Sequence, residues 1–254
     1  MVYRILHRVF AAGGLFLLLV QPGRAADCAW IVEGIGKPEP AVPSSNPELC
    51  REGFLLSYNP ATKVADWVME RIIPERLAGP ARREDAAFKP DPSLPINEQA
   101  ALADYRGSGY DRGHLAPAGD MTWDAAAMAE SFYLSNVAPQ VGVGFNRGVW
   151  AALEGEIREA AAAGELSVVT GPVFFDFEPR LGSSRVVVPD AFYKALYDPA
   201  TGATKAWLIP NRALPGEKPA AFAIALARLE ALTGLDFFPE GDSEKPGEKA
   251  EPSP

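Results

Sequence analysis

The sequence is poor in cysteine and histidine and has no excess of positive charge. Two of its 254 residues are cysteines and two are histidines, which excludes a zinc ribbon, a small disulfide scaffold and a histidine-rich metal cage. Its 24 lysines and arginines against 33 aspartates and glutamates give a net charge of −9, which argues against a protein that coats nucleic acid through bulk charge. With 48% hydrophobic and 22% charged residues, the chain has the composition of a globular protein with a sizeable core.

The N-terminus has the layout of a secretory signal peptide. Arg4 and Arg8 precede an apolar run at residues 9–20, and Pro22-Gly23 and a small-residue cleavage pattern follow. The run is short for a hydrocarbon core of ~30 Å, although a retained membrane anchor is the alternative. We therefore expect residues 1–25 to be removed, the protein to be exported to the periplasm or the medium, and no stable membrane association.

Export has two consequences for the remaining chain. Loss of residues 1–25 leaves 21 basic and 33 acidic side chains, a net charge of −12, and leaves His114 as the remaining histidine. An oxidising compartment favours a disulfide between Cys28 and Cys50. Two free thiols are the alternative, and no neighbouring residue suggests a catalytic cysteine.

Hydrophobic patterning predicts one domain at residues 26–238 and a disordered acidic tail at 239–254, which has no large apolar side chain. A long surface loop is expected at residues 74–102. Helices are expected at residues 124–132, 147–163 and 219–232. Strands are expected at residues 53–58, 64–70, 166–169, 173–175, 185–188, 192–197 and 205–209. This order predicts an α+β fold with a mostly antiparallel sheet.

The densest cluster of chemically active residues is Tyr110–His114. A neutral His114 could accept a proton near neutral pH, and the guanidinium of Arg112 suits a phosphate. The alternative is a hydrogen-bonded core histidine beside an ordinary ion pair between Asp111 and Arg112.

Two further clusters follow, at residues 135–140 and 145–154. On a continuous helix, Asn146, Trp150 and Glu154 would lie 40° apart along one flank, so Asn146 and Glu154 could serve one site. Their oxygen atoms suit Mg²⁺, which takes few protein ligands and keeps most of its waters. The alternatives are a helix N-cap for Asn146 and a solvated or ion-paired role for Glu154.

Together these clusters resemble the DNA/RNA non-specific endonucleases, the ββα-metal nucleases that include secreted bacterial nucleases and endonuclease G. The resemblance extends from about residue 54 to residue 238. It rests on Asp111-Arg112-Gly113-His114, Ser135-Asn136 with Pro139-Gln140, and Asn146 with Trp150 and Leu153-Glu154. It also includes Arg83 with Phe88 and Asp91, Val169-Thr170-Gly171-Pro172, and the segments at residues 188–194 and 233–238. The implied fold is a mixed α/β layered structure with a mostly antiparallel central sheet.

The resemblance implies an enzyme that hydrolyses DNA and RNA to 5′-phosphate products with one Mg²⁺, and Mn²⁺ is an alternative because it also favours oxygen ligands. The implied catalytic residues are His114 as general base, Arg83 and Arg112 on the scissile phosphate, Glu154, and Asn136, which fixes the His114 loop. The implied metal-holding residues are Asn146 directly, and Asp111 and Glu154 through water. Arg82, Arg83, Arg106, Arg112 and Arg147 would supply local positive potential despite the negative net charge.

Two other functions fit parts of the sequence. A catalytically silent secreted binding protein on the same scaffold would lack the base or the metal-binding asparagine, and both residues are present. A two-carboxylate glycosidase would use Glu154 with a partner acid, which leaves the Arg112-Gly113-His114 cluster without a role. The sequence sets neither the preference between DNA and RNA nor the oligomeric state.

Overall fold

The computed structural model describes residues 26–175 and 179–241. The predicted signal segment and residues 242–254 of the predicted tail lie outside the described residues. The helices are α1 (Ala29–Val32), α2 (Leu102–Tyr105), α3 (Ala125–Ser131), α4 (Ala151–Ala161) and α5 (Leu226–Thr233). The strands are β1 (Glu39–Pro40), β2 (Glu48–Cys50), β3 (Phe54–Asn59), β4 (Val64–Ile72), β5 (Tyr110–His114), β6 (Val137–Val141), β7 (Leu166–Val173), β8 (Arg180–Leu181), β9 (Val186–Val187), β10 (Ala191–Asp198), β11 (Ala203–Pro210), β12 (Ala223–Ile224) and β13 (Leu235–Asp236).

A seven-stranded sheet in the order β12-β11-β10-β7-β4-β3-β2 forms the centre of the molecule. Every neighbouring pair in it is antiparallel, which confirms the predicted α+β class with a mostly antiparallel sheet. The two strands expected at residues 166–169 and 173–175 are instead the single strand β7. Gly171 and Pro172 do not interrupt it, because both are paired with β10.

The sheet separates two apolar clusters, since successive side chains of a strand point to opposite faces. One face, called here the site face, packs Val68, Val168 and Phe192 against α3, α4 and the β5–β6 pair. The other, called here the back face, packs alternate residues of the same strands against α1, α5 and the segment that follows β13. The site face therefore supports the polar segments identified in the sequence.

Two predicted helices differ from the observed ones. The helix expected at residues 147–163 begins only at Ala151, because Arg147 and Gly148 have non-helical backbone angles. The helix expected at residues 219–232 is a 3-10 turn at Pro219–Phe222, then β12, then α5. Residues of β12 pair with the edge of β11, and this pairing satisfies backbone groups that a continuous helix would have used internally.

The helix expected at residues 124–132 is confirmed as α3. Asp124 is its N-cap, and its carboxylate accepts hydrogen bonds from the backbone N–H groups of Ala126 and Ala127.

The N-terminal segment closes the back face. The predicted disulfide between Cys28 and Cys50 is present and ties α1 to β2. Further along, β1 pairs with β13, so the two ends of the described chain meet. No helix within residues 26–175 and 179–241 is long and apolar enough to cross a bilayer.

Candidate active site

The β5–β6 pair presents the Tyr110–His114 cluster at one side of the site face. The two strands are antiparallel, with Asp111 opposite Gln140 and His114 opposite Val137. A Cβ atom at residue 113 would overlap the buried amide of Gln140, so only glycine allows the strand to lie this close to its neighbour. His114 is the last residue of β5, and the chain turns away immediately after it.

The imidazole of His114 lies in an aromatic cage. Its ring centroid is 5.1 Å from that of Phe88 and 4.8 Å from that of Phe132, and the residue is 7% exposed. Its Nε2 atom has no hydrogen-bond partner among the described residues. Burial, with the nearby charge of Arg83, lowers the pKa of His114 to about 3. The imidazole is therefore neutral at physiological pH.

Asn136 holds the turn that follows His114. Its backbone carbonyl accepts from the N–H of Leu115 at 2.9 Å, and its Oδ1 accepts from the N–H of Ala116 at 2.9 Å. Its Nδ2 donates to the carbonyl oxygens of Ala116 and Ser131. Asn136 is completely buried, so its amide braces the loop and does not face the surface.

A polar group occupies the other side of β5. Asn146 donates from Nδ2 to Oδ2 of Asp111 at 2.9 Å, and Nη1 of Arg147 lies 3.0 Å from the same carboxylate. The alternative of an Asp111–Arg112 ion pair is not observed, because the guanidinium of Arg112 lies 4.6 Å from the ring centroid of Phe88. Asn146 is also not the N-cap of α4, a position held by Trp150.

Asn146, Trp150 and Glu154 were expected on one flank of a continuous helix, and this prediction is wrong. The backbone break at Arg147 and Gly148 separates Asn146 from α4, and Trp150 is fully buried with its ring 5.4 Å from that of Phe145. The structure thus positions Asn146 through a loop and its bond to Asp111.

Glu154 lies on α4 and is half-buried. Burial raises its pKa to about 7, against the lowering effect of Lys194, while Asp120 raises it further. The carboxyl therefore lies within a larger group of charged residues on the site face.

That group was missed by the sequence analysis. It contains Glu70, Asp120, Arg158 and Lys194, and the first, second and fourth of these are buried. Arg158 forms an ion pair with Asp120. Burial raises the pKa of Glu70 well above its ordinary range, and Asp120 adds to the effect. These residues lie far apart in sequence. The one sequence signal for Glu70 and Lys194 was that each follows, within its strand, a residue that points to the opposite face of the sheet.

A cleft of about 510 Å³ opens beside Phe88 and the Asp111–Asn146 pair. Four arginines contribute to its walls: Arg83, Arg106, Arg112 and Arg147. The fifth arginine of the predicted positive group, Arg82, is absent from the lining and pairs with Asp85 and Glu84. Asp111 is the acidic residue of the lining. Neither Glu154 nor His114 contributes to the lining; His114 adjoins the cleft through Phe88, which forms part of its wall.

The residues at the cleft suit a hard divalent cation. Asn146 lines the cleft, and its Nδ2 is bonded to Asp111, so its amide oxygen is the atom left for a cation. No group of three or more His, Cys, Asp and Glu side chains with metal-binding geometry occurs in the described part of the chain. One amide oxygen with a nearby carboxylate fits a cation that keeps most of its waters, as Mg²⁺ does.

The chain is similar to several known nucleases. A family profile described as DNA/RNA non-specific endonuclease matches residues 33–244. Nuclease C1 of Cunninghamella echinulata var. echinulata is 39% identical over 211 residues, which are 76% of this chain and 82% of that protein. Mitochondrial endonuclease G of Homo sapiens is 38% identical over 210 residues, 74% of this chain and 68% of that protein. Among solved structures, a chain of the EndoG/EndoGI complex superposes with a TM-score of 0.76 and 30% identity, covering 84% of this chain and 91% of that one.

Proposed function

This chain belongs to the DNA/RNA non-specific endonuclease family, and we propose that it hydrolyses phosphodiester bonds within DNA and RNA. The observation that carries the proposal is the placement of a caged, neutral histidine beside an arginine-lined cleft whose polar wall holds the Asp111–Asn146 pair. Along the chain, β5, β6 and α4 follow one another in the ββα order that the resemblance implied.

His114 acts as the general base that removes a proton from the attacking water. The cage of Phe88 and Phe132 fixes the ring, and burial together with the positive charge of Arg83 keeps it unprotonated. A neutral imidazole has a free nitrogen lone pair, which a general base requires. Asn136 supports this role by holding the backbone immediately after His114.

Arg83 and Arg112 bind the scissile phosphate. Both guanidinium groups lie against the aromatic cage, Arg83 5.3 Å from the ring centroid of Phe132 and Arg112 4.6 Å from that of Phe88. Planar guanidinium groups donate to two phosphate oxygens at once, so the cage that holds the base also holds the phosphate-binding groups beside it.

Asn146 would hold one Mg²⁺ directly, with Asp111 and Glu154 acting through water, and Mn²⁺ is the alternative metal. When bound, the cation would supply positive charge that stabilises the pentavalent phosphorus and the departing 3′-oxygen. Departure of the 3′-oxygen leaves a 5′-phosphate on the product. Asp111 orients the amide of Asn146 and is itself fixed by Arg147.

We propose further that the enzyme is exported to the periplasm or the medium after removal of residues 1–25. The charge and hydrophobicity pattern of those residues supports this destination. Sequencing the N-terminus of protein recovered from each compartment tests it. Recovery from mitochondria, as in the names of several relatives, would contradict it.

Cleavage of supercoiled plasmid and of bulk RNA tests the proposed activity. The wild-type protein should degrade both polymers with Mg²⁺ and lose this activity in EDTA. Because its products should carry 5′-phosphates, a kinase should label their 5′ ends only after phosphatase treatment. His114→Ala should lower the rate by about 10²–10⁴-fold, the range for loss of a general base, whereas Arg82→Ala, outside the cleft, should retain it. A folded wild-type protein without cleavage in any divalent metal would instead support a silent binding protein. Activity unaffected by EDTA would support a metal-independent hydrolase.

A further inference from the structure

Lys194 is a buried cation that the mechanism above does not use. It lies on β10, points to the site face and is 1% exposed. Its Nζ donates to Oγ1 of Thr170 at 2.7 Å and lies 3.5 Å from the carbonyl oxygen of Leu115. The same Nζ is 5.0 Å from the ring centroid of Trp150.

These three contacts belong to three different parts of the molecule. Thr170 is on β7 in the central sheet, directly opposite Lys194 in the strand register. Leu115 is the residue after the proposed general base. Trp150 immediately precedes α4, the helix that carries Glu154. A single ammonium group thus joins the sheet to both halves of the proposed site.

The contact with Leu115 completes the support of one peptide unit. The peptide between Leu115 and Ala116 has its N–H bonded to Oδ1 of Asn136 at 2.9 Å. Its carbonyl oxygen faces Nζ of Lys194 from the other side. Because this peptide is the second one after His114, its orientation helps to determine how the chain leaves the aromatic cage. Asn136 and Lys194 together fix that orientation.

Stability alone does not explain a lysine at this position. Transfer of an ammonium group into the interior is costly, and an apolar side chain of similar length would pack on the sheet without that cost. The acidic groups of the site face within its electrostatic reach are Glu70, Asp120 and Glu154. The contacts of Nζ with Thr170, Leu115 and Trp150 therefore point to a role in the site.

We propose that Lys194 is a positioning residue, which holds the turn after His114 and the start of α4 in fixed relation to the sheet. The inference rests on the proposed nuclease function for its kinetic consequences. Its structural consequences do not rest on that function, because the contact between Nζ of Lys194 and the carbonyl oxygen of Leu115 is present without substrate.

Kinetics of Lys194→Met and Lys194→Arg test the proposal. Both variants should lower kcat by about 10²-fold, the cost of misplacing catalytic groups by about an ångström, while KM for plasmid changes less than twofold. Lys205→Met, an exposed lysine on the neighbouring strand, should leave both constants unchanged. A wild-type kcat in either Lys194 variant overturns the proposal.

A double variant separates positioning from simple charge balance. Lys194→Met with Glu70→Gln removes one buried cation and one buried acid, so it is expected to fold even if Lys194→Met alone does not. Continued loss of kcat at a wild-type melting temperature supports positioning. Recovery of kcat would show that Lys194 only neutralises Glu70, and it would overturn the proposal. Lys194→Arg, which keeps the charge, decides the outcome if both methionine variants fail to fold.

Amide hydrogen exchange gives a readout that does not depend on activity. In Lys194→Arg and in the double variant, the N–H of Ala116 should exchange at least tenfold faster than in wild type, while amides of β13 should not change. Unchanged exchange at Ala116 would overturn the proposal even in an inactive protein. An inactive wild type with the expected exchange pattern would contradict the nuclease function alone.

Discussion

The two faces of the central sheet are built from the same strands but differ in chemistry. On the site face, three consecutive strands of the sheet bury polar or charged residues, namely Glu70, Thr170 and Lys194. At the preceding position of each strand the back face buries Met69, Val169 and Tyr193, which pack with apolar and aromatic side chains. The back face is covered by α1, α5 and residues 237–238, and it is closed by a disulfide.

Both faces bury apolar clusters, but the charged groups near the proposed site lie on the site face. Burial of apolar area on the back face contributes directly to the free energy of unfolding. The site face contains unpaired or partly paired charged groups, which lower stability unless their partners compensate. The back face carries none of the proposed site residues, so we expect changes there to affect stability alone, whereas changes to the polar residues of the site face should affect the site. The following predictions test that expectation from the largest expected effect to the smallest.

Truncation on the back face should affect stability alone. Phe237 is fully buried, with its ring 5.2 Å from that of Tyr193. Phe237→Ala should lower the free energy of unfolding by about 3–5 kcal/mol, the cost of removing a buried aromatic side chain, as measured by urea unfolding. The kcat of the folded fraction at low temperature should equal that of wild type. A parallel loss of kcat would show that the two faces are not independent.

Loss of the disulfide should have a smaller effect of the same kind. Cys28 and Cys50 are 22 residues apart, and a crosslink that closes a loop of this size contributes about 2–4 kcal/mol. Cys28→Ser combined with Cys50→Ser should lower the urea midpoint by a corresponding amount. Cleavage of plasmid at low temperature should not change, and an inactive but folded double variant would contradict the assignment.

On the site face, stability should depend on pH through His114. An unfolded histidine has a pKa near 6.5, whereas burial lowers that of His114 to about 3. Below pH 6.5 the unfolded chain therefore binds a proton that the folded protein does not, and stability falls as pH falls from 6.5 towards 3. Relative to His114→Phe, wild type should lose up to about 1.4 kcal/mol per pH unit in this window.

Urea unfolding of the two proteins at pH 7.5, 5.5 and 4.5 measures that difference. Groups other than His114 titrate in both proteins, so they cancel in the comparison. A difference that stays constant over the three pH values would show that His114 is not held neutral by burial.

The smallest expected effect concerns the cleft surface. Arg106 lines the cleft, whereas Arg82 is paired with Asp85 outside it. If Arg106 neutralises one phosphate, Arg106→Gln should reduce the slope of log(kcat/KM) against log salt by about 1. Arg82→Gln should leave the slope unchanged. Equal slopes in both variants would place Arg106 outside the substrate path.

The sequence was informative where local patterns determine structure. The β3 and β4 strands, helix α3 and the cysteine pair followed from strand, turn and helix patterns in the sequence and from composition. The three segments that carry the site were also recognisable, because their chemistry is concentrated within a few residues each.

The parts that could not be predicted depend on contacts between distant residues. The start of α4 was misjudged because Arg147 and Gly148 depart from helical backbone angles, next to Asn146, whose side chain bonds to Asp111, 35 residues earlier. Phe132 as a wall of the histidine cage, and Lys194 as a partner of Leu115, have no local signal. Both contacts arise only when the site face is assembled.

The pairing of β1 with β13 has a consequence for the timing of synthesis. Residues 39–40 emerge early, but their partners at residues 235–236 and the buried rings of Phe237 and Phe238 are made near the end. A growing chain therefore lacks the last layer of the back face and cannot complete the support beneath its sheet. The layer that closes the back face is thus assembled from segments made at very different times, and the sheet is fully covered only after residues 235–238 have been added.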